Sequence, residues 1–290
     1  MCVYIRGYGL LCFFLFLAMF FGGKVFASDN AVDVFLGGSV EDTLSSSKIG
    51  FSKECLDGVC FYGFSKSASS ADLPSVSLSG GVVIFGVSSI ELLADEAGDK
   101  KVRELDLMMA PYPDGSSDGD NRTFFYSVVA RLSKAGWERH IALSQPRVFG
   151  KEAVLAYEED KEVRDILRKS PMLDAAYEMT NEEWESLPPS SAWMMHNRSK
   201  GEYLRITVQK MKSEQLSGKS SYVYSFSFYT ERAWYQQYFK GEEKGRWLEL
   251  LPTMIKSMHD IRLQKERALC KLGLNIDETY QDPKVKSLQR

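Results

Sequence analysis

The side chains that could do chemistry in this 290-residue chain are few and scattered. Its histidines are His140, His196 and His259, and none stands at metal-ligand spacing from another histidine or from a cysteine. They read as ordinary surface or half-buried residues. A serine hydrolase needs a Gly-x-Ser-x-Gly elbow or an equivalent, and none is present. Gly37-Gly38 and Gly80-Gly81 match no phosphate loop and read as turns. Cys270 lies in a charged stretch with no evident base beside it, so it reads as an unpaired thiol. Acidic residues number 39, enough for a carboxylate pair that hydrolyses glycan, but a linear sequence does not show which two face each other. No catalytic residue and no cofactor is therefore assigned.

Three weaker patterns carry expectations. Asp114, Asp118 and Asp120 lie on a Gly/Ser-rich stretch that offers the oxygen ligands calcium prefers, although the spacing is not that of an EF-hand. The same string is how a solvated loop and a helix N-cap are written. Cys55 and Cys60 flank Leu56-Asp57-Gly58-Val59, and Asp-Gly between apolar flanks signals a two-residue hairpin of type I′. In that register the two cysteines face each other at a non-hydrogen-bonded pair, close enough for a disulfide. Trp234, Tyr235 and Tyr238 cluster where a strand passes into a helix, and rings of this kind concentrate at protein interfaces.

The elements that hold these residues follow from periodicity. Ser39 caps a short helix after a strand and a Gly turn, with Glu41 and Asp42 in its first turn. Strands are expected at the Cys55–Cys60 hairpin, 75–78, 82–87 and 102–109, then a helix over 123–136 and a strand over 137–143. The charged stretch 158–169 reads as a helix ending at Ser170-Pro171, a soft boundary. Thr180 and Glu183 form a capping box, with Met179 and Trp184 placed as a hydrophobic staple. Strands at 192–197, 202–211 and 221–230 precede a helix over 231–261 that Pro252 must kink or interrupt. Along 221–230 the residues Tyr222, Tyr224, Phe226 and Phe228 share one face, which reads as core.

Runs of strands framed by helices, without strand–helix–strand alternation, give an α+β class of two largely antiparallel modules, each covered by helices. The divisions are a signal peptide over 1–27, an N-terminal module over 28–170, a C-terminal module over 171–261 and a charged tail over 262–290. The signal reading rests on Arg6, the apolar run Leu10 to Phe21 and Val25-Phe26-Ala27, with cleavage before Ser28. It places the protein in the periplasm or outside the cell, with no stable membrane span after cleavage.

Leu36-Gly37-Gly38-Ser39-Val40-Glu41-Asp42, followed by a short helix, a hairpin and strands, is similar in outline to the small modules of periplasmic outer-membrane assembly lipoproteins and beta-lactamase inhibitor proteins. The likeness covers residues 34–109 and includes no lipobox cysteine. It implies a protein partner and no catalysis. A net charge of −3 gives no reason to expect nucleic acid. The leading expectation is an exported, non-catalytic protein-binding module such as an inhibitor, a toxin-immunity protein or an envelope assembly factor. The alternative is an exported hydrolase that acts on a cell-envelope polymer through dispersed carboxylates.

Overall fold

A computed structural model describes residues 30–78, 81–96, 100–167, 174–212 and 220–289. The signal-peptide expectation over 1–27 and the end of the helix expected over 158–169 fall outside them. Eleven strands and seven α-helices are described. The strands are β1 Ala31–Val34, β2 Ser52–Leu56, β3 Val59–Ser65, β4 Ser75–Leu78, β5 Val82–Ile84, β6 Ser89–Asp95, β7 Val102–Met109, β8 Trp137–Arg139, β9 Ser190–Asn197, β10 Glu202–Lys212 and β11 Ser220–Thr230. The helices are α1 Val40–Ser46, α2 Asp118–Lys134, α3 Gly150–Glu159, α4 Lys161–Ile166, α5 Asn181–Glu185, α6 Glu231–Gln236 and α7 Trp247–Lys271.

Eight strands make one antiparallel sheet in the order β2-β3-β6-β7-β11-β10-β9-β8, and a small sheet β1-β4-β5 lies apart from it. The α+β class and the largely antiparallel sheets under helices are as the periodicity predicts, with β1 and β4 of the small sheet paired parallel. The two halves nevertheless share one sheet. β7 of the first pairs with β11 of the second, Leu107 opposite Phe226 and Leu105 opposite Phe228. No turn connects these strands, so hydrophobic pattern alone could not announce their pairing.

One face of the large sheet carries the main core. Tyr222, Tyr224, Phe226 and Phe228 are buried there with Ile90, Leu92, Leu105, Leu107, Leu204 and Ile206. Onto them pack Phe125, Val128 and Leu132 of α2, Trp184 of α5, and valines of the small sheet. Ser117 caps α2 by accepting from the Asp120 backbone N–H, so the helix begins five residues earlier than its apolar stripe suggests. The capping box on α5 is complete, with Met179 and Trp184 both buried.

Other boundaries moved for identifiable reasons. His140 still donates its N–H to the Met194 carbonyl of β9, and beyond it the chain leaves the ladder, Ile141 donating its N–H to the Tyr280 hydroxyl instead. Asp160 interrupts the charged helix by capping α4, accepting from Glu162 and Val163. The helix expected over 231–261 is three pieces: α6, a 3-10 turn over Gly241–Arg246 and α7, which carries Pro252 inside it. Gly241 has φ +50, a value side-chain-bearing residues rarely adopt, and it opens that turn. The charged tail expected from 262 is also corrected. α7 runs on to Lys271 with Arg262, Glu266 and Leu269 buried. Arg147 holds Glu266 through two hydrogen bonds of 2.8 and 2.9 Å, and Arg262 holds Asp282. Buried charged pairs broke the apolar pattern without breaking the helix.

Cys55 and Cys60 are bonded across the β2–β3 hairpin, with Cα atoms 4.1 Å apart. Asp57 and Gly58 both take positive φ, as a type I′ turn requires. The closed loop is short and β2 is an exposed edge strand, so Cys55→Ser should lower stability by ~2 kcal/mol or less. Urea unfolding of the variant checks this; a loss of the whole fold would contradict it. Of Cys55, Cys60 and Cys270, only the exposed Cys270 should alkylate in untreated protein.

Candidate functional site

The second face of the large sheet is the candidate site. Because side chains alternate, each strand that sends an apolar residue into the core sends its neighbour to this side. At one end the face is covered by α6, which Thr230 caps through the Ala233 N–H and so turns back onto the sheet. Trp234 stacks on Tyr203 of β10 at 4.9 Å with the rings nearly parallel. The Tyr235 hydroxyl meets that of Tyr203 at 3.0 Å, and its ring stacks over Trp247 of α7.

Trp234 and Tyr235 are therefore only 2% and 1% exposed. They cement α6 and α7 to the sheet and are not a free surface, which corrects the interface expectation for both. Tyr238 is half-buried against the same cluster, and burial raises its phenol above the ordinary range. A six-residue helix covers too few turns for its sequence to show which side faces inward.

Away from α6 the face opens. Arg205, Ser227, Asp106 and Glu91 lie in register across β10, β11, β7 and β6. Thr207, Ser225, Met108 and Ser89 form the next row, and Gln209 beside Val223 the one after. Down the middle run the short residues Ser221, Val223, Ser225 and Ser227 of β11. Longer side chains flank them, including Met211, Gln209 and Arg205 on one side and Met108 and Asp106 on the other. The result is a shallow trough whose floor is half-buried, while Met108 and Met211 are exposed. Toward β3 the face continues through Leu93 and Phe61, which are direct cross-strand partners.

The electrostatics of the central row follow from its burial. Burial raises the Asp106 carboxyl, and the Ser227 hydroxyl and the Arg205 charge pull it partly back. Burial also raises Glu91, with the Asp106 charge adding to the effect. The Arg205 guanidinium sits 5.8 Å from the centre of the Trp234 ring, a cation–π contact that ties the row to the covered end. Sequence reading missed this row because it exists only once four strands are in register.

Two carboxylates of the acidic loop bind neighbouring groups of the protein. Asp118 accepts from the Tyr222 hydroxyl and from Lys210 Nζ, and Asp120 accepts from the Ser117 hydroxyl at 2.6 Å. Asp114 is exposed on the loop. Two of the three carboxylates are thus committed to capping α2 and anchoring it to β10 and β11. Among the described residues, only Cys55, Cys60 and Glu96 bring three metal-ligating groups together, and there the thiols are already bonded to each other.

Two of the described cavities are each lined by two acids, Asp33 with Asp42 beside α1 and Glu138 with Asp277 near the C-terminal residues. The widest described, about 470 Å³, is lined by Val154, Tyr157, Arg164, Glu183, Leu187 and Pro188. Among its described lining residues the one carboxylate, Glu183, accepts from the Thr180 N–H and the Tyr177 hydroxyl. A second, about 250 Å³, runs along the C-terminal residues and is lined by Arg139, His196, Arg198, Asp277 and Tyr280 among others. Arg139 lies 3.3 Å from both Asp174 and Asp277, and Arg198 donates to Glu138, so its charges are paired. No described helix is long and apolar enough to cross a membrane.

No protein family, no curated protein and no solved structure matches this chain.

Proposed function

We propose that this chain is an exported, non-catalytic binding protein that engages another protein through the open face of its eight-stranded sheet. The observation that carries the reading is that face itself. It mixes methionine, phenylalanine and leucine with serines, Arg205 and two carboxylates, the blend of apolar and polar groups found at non-obligate interfaces. The disulfide supports an oxidising, exported location, as does the apolar run near the N-terminus.

Ser225 lies at the middle of the trough, so Ser225→Arg should block a partner without disturbing the core. Tagged protein released from exporting cells should elute above the mass of the free chain, and the variant should elute at that mass. Its unfolding free energy should stay within about 0.5 kcal/mol of the parent. Identical elution of the two proteins would sink the proposal.

One observation favours the hydrolase as a second reading. Glu91 and Asp106 are direct cross-strand partners whose carboxyls are both raised by burial, and a glycoside hydrolase works through such a pair of neighbouring acids. Turnover of a cell-envelope glycan, abolished by Glu91→Gln or Asp106→Asn, would replace the binding reading with this one.

A further inference from the structure

His140, His196 and His259 sit on three different segments, yet all meet one stretch of chain. His140 Nδ1 is 3.4 Å from the Tyr280 hydroxyl, and His259 Nε2 is 3.0 Å from Asp282. His196 lines the pocket closed by Asp277, Thr279, Tyr280 and Gln281. These are all the histidines of the chain.

The stretch they meet, residues 274–289, follows α7 and is held mainly by individual links. Ile276 makes a single bridge to Val148. The Tyr280 hydroxyl accepts from the Ile141 N–H, and the Lys286 and Ser287 N–H groups donate to Glu231 at 2.8 and 2.9 Å. Lys286 Nζ reaches the Ser199 carbonyl, and Val285 is buried in the cluster of Tyr203, Trp234 and Tyr235. A segment with few ladder bonds opens at lower cost than the sheet beneath it.

Beneath it, His140 and His196 are 4% and 3% exposed. Their rings are 6.3 Å apart and both pack on Tyr203, with His140 also against Trp234. His140 Nε2 and His196 Nδ1 are buried with no hydrogen-bond partner, an arrangement suited to neutral imidazoles.

We propose that residues 274–289 are an acid-released strap, tripped by charging of His140 and His196, whose departure uncovers the two imidazoles and the edge of the Tyr203–Trp234–Tyr235 cluster that Val285 covers. Around His140, burial opposes the charged form most, followed by the His196 charge and Arg262, with Asp282 favouring it; together they push it down to about 3. Around His196 burial again leads, Glu138 and Glu231 oppose it, and Arg198 and Lys286 add to it, leaving it at about 4. A released strap returns both rings to water, where a histidine titrates near ~6.5. The closed form therefore loses nothing above that pH. Its advantage declines as pH falls from about 6.5 toward 4, because only the open form takes up the protons. His259 contributes a contact that holds the strap, Nε2 to Asp282 at 3.0 Å, and the release is assigned to His140 and His196.

Hydrogen exchange on the full chain, corrected for the intrinsic effect of pH, tests this. Between pH 7 and 4.5 the amides of Ile141, Lys286 and Ser287 should gain at least tenfold in exchange relative to Phe226 in β11. The double variant His140→Gln, His196→Gln should keep them protected at pH 4.5. A protected wild-type strap at that pH overturns the proposal. So does a double variant that opens where the wild type does, since the carboxylates would then be responsible. If the variant does not fold, imidazole proton shifts in the wild type decide. His140 and His196 must charge in the same interval in which the strap opens, and a strap that opens while both stay neutral overturns the proposal.

Discussion

Trp234→Ala should cost the protein about 3–5 kcal/mol of stability, the usual loss for truncating a buried large aromatic. The indole is the hinge of the covered end of the sheet. It stacks on Tyr203, meets Tyr229 and His140 edge-on, and lies under the Arg205 guanidinium. An alanine there leaves a void that a six-residue helix, pinned by Thr230 at one end and stacked on α7 through Tyr235, has little freedom to fill. Urea unfolding measures the loss. A change below 1 kcal/mol would mean that the ring is a surface group and would restore it as an interface candidate.

Arg262→Met should be comparably damaging, at about 3–5 kcal/mol, because it breaks a buried ion pair by removing one partner only. The guanidinium donates to the carbonyls of Gln145 and Ala142 at 2.9 and 3.1 Å and grips both oxygens of Asp282. One side chain thus joins α7, the loop after β8 and the C-terminal strap. Methionine fills much of the volume but leaves the Asp282 carboxylate and two carbonyls short of donors. Replacing Asp282 by leucine in the same protein should recover part of the loss, since the unpaired charge goes with it. Equal stability of Arg262→Met and the parent would contradict the burial of this clamp.

Local chemistry was legible where it closes within a few residues. The Asp57-Gly58 turn, the Ser39 cap, the Thr180–Glu183 box and the core face of β11 all follow from spacing alone, and each is present. Features that need distant partners were not legible. The pairing of β7 with β11 spans more than a hundred residues, and the Arg205–Ser227–Asp106–Glu91 row depends on that pairing. The end of α7 looked like a tail because its inward face carries Arg262 and Glu266, whose partners Asp282 and Arg147 come from elsewhere in the chain. The histidines looked unrelated for the same reason, since only the folded strap gathers them.

The central claim is that the open sheet face is where this protein meets its partner. A photo-crosslinking residue placed at Ser225, in the trough, and separately at Ala130, on the outward side of α2, tests it in exporting cells. One discrete adduct is expected from position 225, lost when Thr207 is also changed to arginine, and none from position 130. Adducts from position 130 alone, or from neither position, would contradict it.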